Sequence, residues 1–418
     1  MSTTNARSSL WHNGAFIRLW LAQVVSNAGS QVTTLALPLT AVLVLGATPA
    51  QMGALGVATS LPNLCFGLLA GVWVDRVRRR PLLVAADLGR ALLLATIPAA
   101  ALLHALSFAQ LYLVAFAAAT LGLVFTITSV AVLPAIVRQD QLVAANSQLT
   151  TTDALLAIVG PSTAGALIQV LSAPTVIVVD AVSYVLSALT LRGMGGTAEP
   201  PHQAQRRNLG AEIGAGVREL VRTPLLRALT VAATVGMFGA AVQTTVLLLF
   251  FTRQLGLGPA TIGLVAAAAG GGSLLGALLA GRVAHRVGIG PAVIVGQGLW
   301  ALSALLLPLA GLVGPSLALV LAAQVAEGIG GALWGINQMS LRQYLTPVPL
   351  LGRVTAARRV LLFGAAPLGS MLGGVLGGAV GLRATLLVGA LGVLGALGLL
   401  ILSPVRAVHD PAAVAGNR

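Results

Sequence analysis

Residues 71–80 read GVWVDRVRRR, and residues 281–290 read GRVAHRVGIG. Each block closes a long apolar run, and the two opening glycines stand 210 positions apart. The spacing recurs elsewhere: Gly122 and Gly328 are 206 apart, as are Pro161 and Pro367. A nearly constant offset across several segments marks two related halves. Working outward from the blocks, the apolar runs on either side each approach the roughly 20 residues that a helix needs to cross about 30 Å of hydrocarbon. None alternates with period two, so the pattern is that of a helical bundle and not of a barrel.

Composition agrees. With 57% hydrophobic and 8% charged residues among 418 and a mean hydropathy of +0.95, the chain has more apolar surface than a soluble core can bury, and lipid must be its solvent. Helices are predicted over 17–45, 50–73, 81–103, 108–134, 144–171 and 174–192, then 226–251, 259–281, 289–312, 316–341, 356–380 and 383–403. The expected architecture is an all-α membrane protein of twelve transmembrane helices, with six-helix bundles at 1–192 and 226–403, a linker at 193–225 and a tail at 404–418. The first run, 17–45, is too long for a cleavable signal and reads as a spanning helix. Within the linker, Leu209, Ile213, Val217, Leu220 and Val221 share one helical face and Glu212, Glu219 and Arg222 the other, which predicts an interfacial amphipathic helix.

All 24 basic residues are arginine. Without lysine there is no Walker-type phosphate ligand and no Schiff base. Cys65 is the single cysteine, and His12, His104, His202, His285 and His409 form no ligand-spaced pair, so metal sites, disulfides and other cofactors are not expected. An enzyme acting on lipid would need a polar catalytic cluster, and none is legible. The formal charge of +14 is a matter of topology. Arginines crowd the inner connections, while the outer ones hold only Arg253 and Arg383, a bias that places both termini in the cytoplasm of a bacterial inner membrane and leaves nucleic acid without a role.

The block at 71–80 resembles the loop 2–3 signature of the major facilitator superfamily, G-x-x-x-D-R followed by further basic residues. The resemblance implies gating roles for Gly71, Asp75, Arg76, Arg79 and Arg80, with Asp75 engaging the opposite half near Arg358 and Arg359 to hold one conformation closed on the inside; His285 replaces this Asp in the second half. The stretch AIVGPSTAGAL is similar to the G-P-x-x-G-G motif of the antiporter branches, carried here by Gly160, Pro161 and Gly165 with Ala164 in place of a glycine. GVRELVRTPLLRAL, VDAVSYVLSAL and LLGRVTAARRVLLFGAAPLGSMLGG extend the similarity over nearly the whole chain, towards the exporters of enterobactin and macrolides. What this implies is a monomeric, proton-coupled exporter of a small amphiphilic molecule such as a drug, macrolide or siderophore. An uptake carrier, or a membrane sensor or assembly protein without flux, is the alternative.

Ionisable residues inside a bilayer are costly and by default functional. Glu327, Asp153 and Asp180 are the candidate proton carriers; Asp153 reads equally as a partner of Arg359, its equivalent 206 positions on, and Asp180 as helix-packing glue. Asp87 and Arg90, three apart, form a candidate structural charge pair. Gln23, Asn27 and Gln31 make a polar stripe along the first helix, and Gln243, Trp334, Asn337 and Gln338 are the second-half candidates for a substrate cavity. With Arg90 as the one arginine expected within the membrane, an amphiphile fits this path better than a phosphate or sugar.

Overall fold

The structure is a computed structural model and describes residues 10–67, 69–74, 76–194, 209–312 and 316–409. Their regular elements are helices, in the order α1 (Gly14–Leu43), α2 (Pro49–Phe66), α3 (Leu69–Val74), α4 (Arg79–Leu102), α5 (Phe108–Ile136), α6 (Leu142–Leu171) and α7 (Ala173–Arg192). Then follow α8 (Leu209–Arg222), α9 (Pro224–Leu249), α10 (Pro259–Val287), α11 (Ile289–Leu306), α12 (Ser316–Leu345), α13 (Leu351–Ala379) and α14 (Leu382–Leu402).

Among the described residues, 10 helices are long and apolar enough to cross a membrane. The two expected spans not among them fall short for physical reasons. In α1 the polar stripe from Asn27 to Thr34 lowers the mean hydropathy, and α2, which holds Gln51, Asn63 and Pro62, stops at Phe66. The helix predicted over 50–73 is described in two parts, α2 to Phe66 and α3 from Leu69, with residue 68 outside the described residues. Pro62 removes one ladder donor, and the Gly67 N–H closes on the Asn63 carbonyl at 3.1 Å where the α-helix ends. The eleventh predicted helix starts earlier than expected, at Leu351 rather than 356, so Arg358 lies in its second turn and not at its N-terminus.

The chain forms two compact units. The first comprises 1–46, 58–206 and 259–263; the second comprises 47–57, 207–258 and 264–418. In the first unit α1 packs along α7 and α6, while α4 packs against α5 and α7. Its apolar core is built on Phe16, Leu19, Leu83, Phe125 and Val132. Asn13 fixes the entry into α1: its Oδ1 accepts from the N–H groups of Ala15 and Phe16 at 3.1 and 3.2 Å, and its Nδ2 donates to the Ile136 carbonyl at 2.6 Å. One side chain thus caps α1 and joins it to the end of α5. In the second unit α9 lies against α14 and α13, and α11 against α12 and α14, around Leu226, Leu229, Val293, Leu341 and Leu400.

Two short segments join the unit of the opposite sequence half, and glycine explains both. Within the first unit, a Cβ on Gly165 would sit 2.5 Å from the Pro259 carbonyl oxygen and 2.9 Å from the Gly263 Cα. Within the second, a Cβ on Gly53 would sit 2.7 Å from the Ser370 carbonyl oxygen and 3.0 Å from the Gly374 Cα. Gly53 and Gly263 are 210 apart in sequence, and Gly165 and Gly374 are 209 apart, so the two contacts are the same contact repeated. Backbone meets backbone only where no side chain intervenes. Gly165→Leu is expected to destabilise the protein by about 1–3 kcal/mol through overpacking. A thermal melt in detergent checks this, with Gly378→Ala as the control, since a Cβ there meets open space.

Candidate functional site

The polar stripe on α1 faces α6 across a cleft of about 140 Å³, lined by Asn27, Ser30, Gln31, Thr34, Asp153 and Leu156. Residues 27, 30, 31 and 34 follow the i, i+3, i+4, i+7 spacing of one helical face, so the sequence of α1 alone puts them side by side. Across the cleft the Asn27 Nδ2 donates to Asp153 Oδ1 at 2.7 Å. Gly160 lies over Gln31: a Cβ there would be 2.5 Å from the Gln31 Cβ, so the glycine of the α6 motif is what lets α1 come close. Pro161 sits within an unbroken α6, and the Trp20 Nε1 donates to Thr152 Oγ1 at 3.2 Å along the same helix pair. Gln23 is half-buried on α1 and lies outside the lining of the cleft.

Behind Ser30 runs a buried polar network. The Ser30 hydroxyl donates to the Ser26 carbonyl at 2.8 Å, so the 2.7 Å contact between Ser30 and Tyr184 has Tyr184 as donor. Tyr184 in turn accepts from Arg90 Nη1 at 3.1 Å. Arg90 pairs with Asp87 Oδ1, and the other carboxylate oxygen accepts from Ser187 Oγ at 2.5 Å. The guanidinium is also sandwiched by rings, 4.0 Å from the centroid of Tyr184 and 4.8 Å from that of Phe125. Asp87 is 0% exposed and Arg90 7%, so the pair persists in apolar surroundings only because each member has further polar or aromatic partners. Asp180 is also fully buried, its Oδ1 accepting from Ser183 at 3.2 Å.

The second unit gathers its candidates differently. Gln243, expected to line a cavity, instead donates through Nε2 to the Ala304 and Leu386 carbonyls at 2.8 and 3.3 Å, binding α9 to α11 and α14. Asn337 donates to the Leu333 carbonyl in its own helix, and Gln338 Oε1 accepts from Arg358 Nη2 at 2.8 Å. Trp334 packs against Trp300 with centroids 5.7 Å apart and the rings tilted by 55°. Gln243 and Gln338 thus join helices, while Asn337 bonds within its own. Arg358 corrects the expectation that Arg90 is the one arginine within the membrane: it is 7% exposed, in a helix that begins earlier than predicted. Glu327 is half-buried on α12 and has no hydrogen-bond or ion-pair partner among the described residues.

Of the loop 2–3 residues, Asp75 lies outside the described residues. Gly71 is in α3, and Arg76 is exposed. Arg79 Nη1 donates to the Ala131 carbonyl at 3.1 Å and Arg80 Nε to the Leu191 carbonyl at 3.2 Å, so both tie the start of α4 to the ends of its neighbours. Ser30 and Ser187 escaped the reading of the sequence as partners. The signal for Ser30 was there, since it lies on the stripe of Asn27 and Gln31; for Ser187 the pairing with Asp87 depends on how α4 and α7 dock.

The sequence profile of the transmembrane secretion effector family matches residues 7–418. The chain is 28% identical over 388 residues to the multidrug efflux pump Tap of Mycolicibacterium fortuitum, covering 90% of this chain and 92% of that one. It is equally 28% identical over 389 residues to the Tap pump of Mycobacterium tuberculosis (strain ATCC 25618 / H37Rv), covering 90% of each. Among solved structures, a bacterial homologue of the iron transporter ferroportin, inward-facing, superposes with a TM-score of 0.75 over 93% of this chain and 98% of its own, at 18% identity. A bacterial homologue of the lysosomal transporter Spinster does so with a TM-score of 0.71 over 98% of each chain, at 15% identity. The likeness to these structures concerns the fold.

Proposed function

Because the chain belongs to the transmembrane secretion effector family of the major facilitator superfamily, a family of transporters and not of enzymes, we propose that this multi-pass membrane protein is a twelve-span, proton-coupled exporter of small amphiphilic molecules, with both termini in the cytoplasm. The observation that carries this reading is the cleft between α1 and α6, where a carboxylate, two carboxamides and two hydroxyls converge. Such a face has no use towards lipid. Relatives named multidrug efflux pumps, matched over 90% of the chain, support export of drug-like substrates.

In this reading Asp153 exchanges a proton for substrate. Ionised, it holds the Asn27 amide; protonated, it can donate a hydrogen bond and carries no charge to desolvate. The change in charge biases alternating access only insofar as the two states bind the proton unequally. Glu327, without a hydrogen-bond or ion-pair partner among the described residues, is the second proton carrier, and Asp180 is a packing residue whose Oδ1 accepts from Ser183. Asp75 with the arginines of loop 2–3 closes the cytoplasmic side, as the family's signature implies. Proteoliposomes loaded with a pH-sensitive dye test the function: adding a lipophilic drug or a siderophore should drive proton movement opposite to the substrate. No proton flux with any compound that the protein demonstrably transports would overturn the antiport mechanism.

A further inference from the structure

At the arginine-rich end of the second unit, α8 and the neighbouring ends of α9 and α14 make a surface that the transport reading does not use. The sequence puts Val217, Leu220 and Val221 on one apolar face of an interfacial helix, and within the second unit α8 divides that face. Leu220 joins the core, while Val217 and Val221 stay exposed next to the exposed Arg218 and Arg222. The reason is Gly216: a Cβ there would lie 2.2 Å from the Arg353 carbonyl oxygen, so α8 turns its glycine edge onto α13 and its valine and arginine edge outwards.

Where α8 ends, a groove of about 400 Å³ opens between α9 and α14, walled mainly by Ala228, Val231, Leu399 and Leu402 and bordered by Arg227. Leu402 is 83% exposed. Arg227 Nη1 reaches back to the Val221 carbonyl at 3.3 Å, so the groove mouth and the α8 edge are one continuous surface. Glu219 is the acidic side chain closest in sequence, and its Oε1 already accepts from Thr223 at 2.9 Å. An apolar channel with Arg227 at its mouth, and with exposed Arg222 next in sequence to the Val221 that Arg227 contacts, matches one ligand in both chemistry and charge.

We propose that this groove binds an anionic phospholipid, one acyl chain lying along Val231, Leu399 and Leu402 and the phosphate held by Arg227 and Arg222. Arginine forks hold phosphate oxygens in pairs, and basic residues beside a membrane surface attract acidic headgroups. The exposed valines of α8 enter the same headgroup layer and carry Arg218 and Arg222 with them. Bound lipid fastens α8, and through Gly216 the start of α13, to the membrane surface.

The test uses the purified full chain in detergent with dioleoyl phosphatidylglycerol or dioleoyl phosphatidylcholine added in equal amounts, and native mass spectrometry as the readout. The wild type should retain phosphatidylglycerol several-fold over phosphatidylcholine. Arg222→Gln with Arg227→Gln should bring the ratio near one while leaving the melting temperature in phosphatidylcholine unchanged. Equal retention of the two lipids by the wild type, or an undiminished ratio in the double variant, overturns the proposal. Should the double variant fail to fold, a photoreactive phosphatidylglycerol on the wild type decides: crosslinks must fall within 217–231 and 399–404, and crosslinks confined to other segments overturn the site.

Discussion

Asp87→Asn should lower the stability of the protein by about 3–5 kcal/mol, because it leaves the Arg90 charge buried without its counter-ion. Arg90 is 7% exposed and Asp87 0%, so water cannot replace the lost partner. The rings of Phe125 and Tyr184 offset part of the loss, at 4.8 and 4.0 Å from the guanidinium, by about 0.5–2 kcal/mol each. Breaking the pair outweighs either ring contact. Arg90→Met should be comparably harmful, since Asp87 would then keep only Ser187. The double replacement Asp87→Asn with Arg90→Met should lie closer to the wild type than either single change, because it buries no unpaired charge. Melting curves of the four proteins in one detergent give the coupling energy directly. Singles that melt with the wild type would show that this pair carries no stability. Tyr184→Phe separates the ring from its hydroxyl: the aromatic contact remains, while the hydrogen bonds to Ser30 and from Arg90 are lost, at a cost of about 2–4 kcal/mol.

Asp153→Asn should abolish substrate-driven proton movement, with a loss of about 100-fold or more on the scale of a missing proton-transfer group, while the protein still folds and still binds substrate. The amide keeps the size of the carboxyl and can still meet Asn27 across the cleft, so the packing of α1 on α6 survives. What is lost is the ability to exchange a proton. Reconstituted vesicles with an internal pH dye measure the flux, and substrate-dependent protection against thermal unfolding measures binding. Wild-type proton flux in Asp153→Asn would remove Asp153 from the coupling step and shift attention to Glu327 on α12. Asn27→Ala is the complementary variant: it removes the 2.7 Å hydrogen bond to Asp153 and should weaken substrate-driven proton movement without eliminating flux.

Much of this was legible in the sequence because the bilayer imposes a simple code. Long apolar runs and the position of arginines gave the helices and the family-like halves, and the i, i+4, i+8 spacing of Gln23, Asn27 and Gln31 gave the polar face of α1. The Asp87 and Arg90 pair follows from a separation of three residues on one helix. The partners of the second-half candidates were not legible, because a buried glutamine or asparagine looks the same in sequence whether it faces a cavity or a neighbouring carbonyl. Gln243 lies where three helices meet and takes the carbonyls of Ala304 and Leu386, a choice set by the docking of α9, α11 and α14.

The repeat shows the same division. Sequence offsets near 210 relate Gly53 to Gly263 and Gly165 to Gly374, yet nothing in those offsets says that Gly165 meets Gly263 or that Gly53 meets Gly374. The sequence by itself determined a helical membrane chain, its two halves and the residues too polar for lipid, since each of these rests on local spacing and transfer energy. Tertiary packing decided which polar residues became partners. It joined Asn27 to Asp153, Tyr184 to Ser30 and Arg358 to Gln338, because a hydrogen bond between helices requires an approach to about 3 Å, and which helices approach so closely depends on where glycine lets backbones touch.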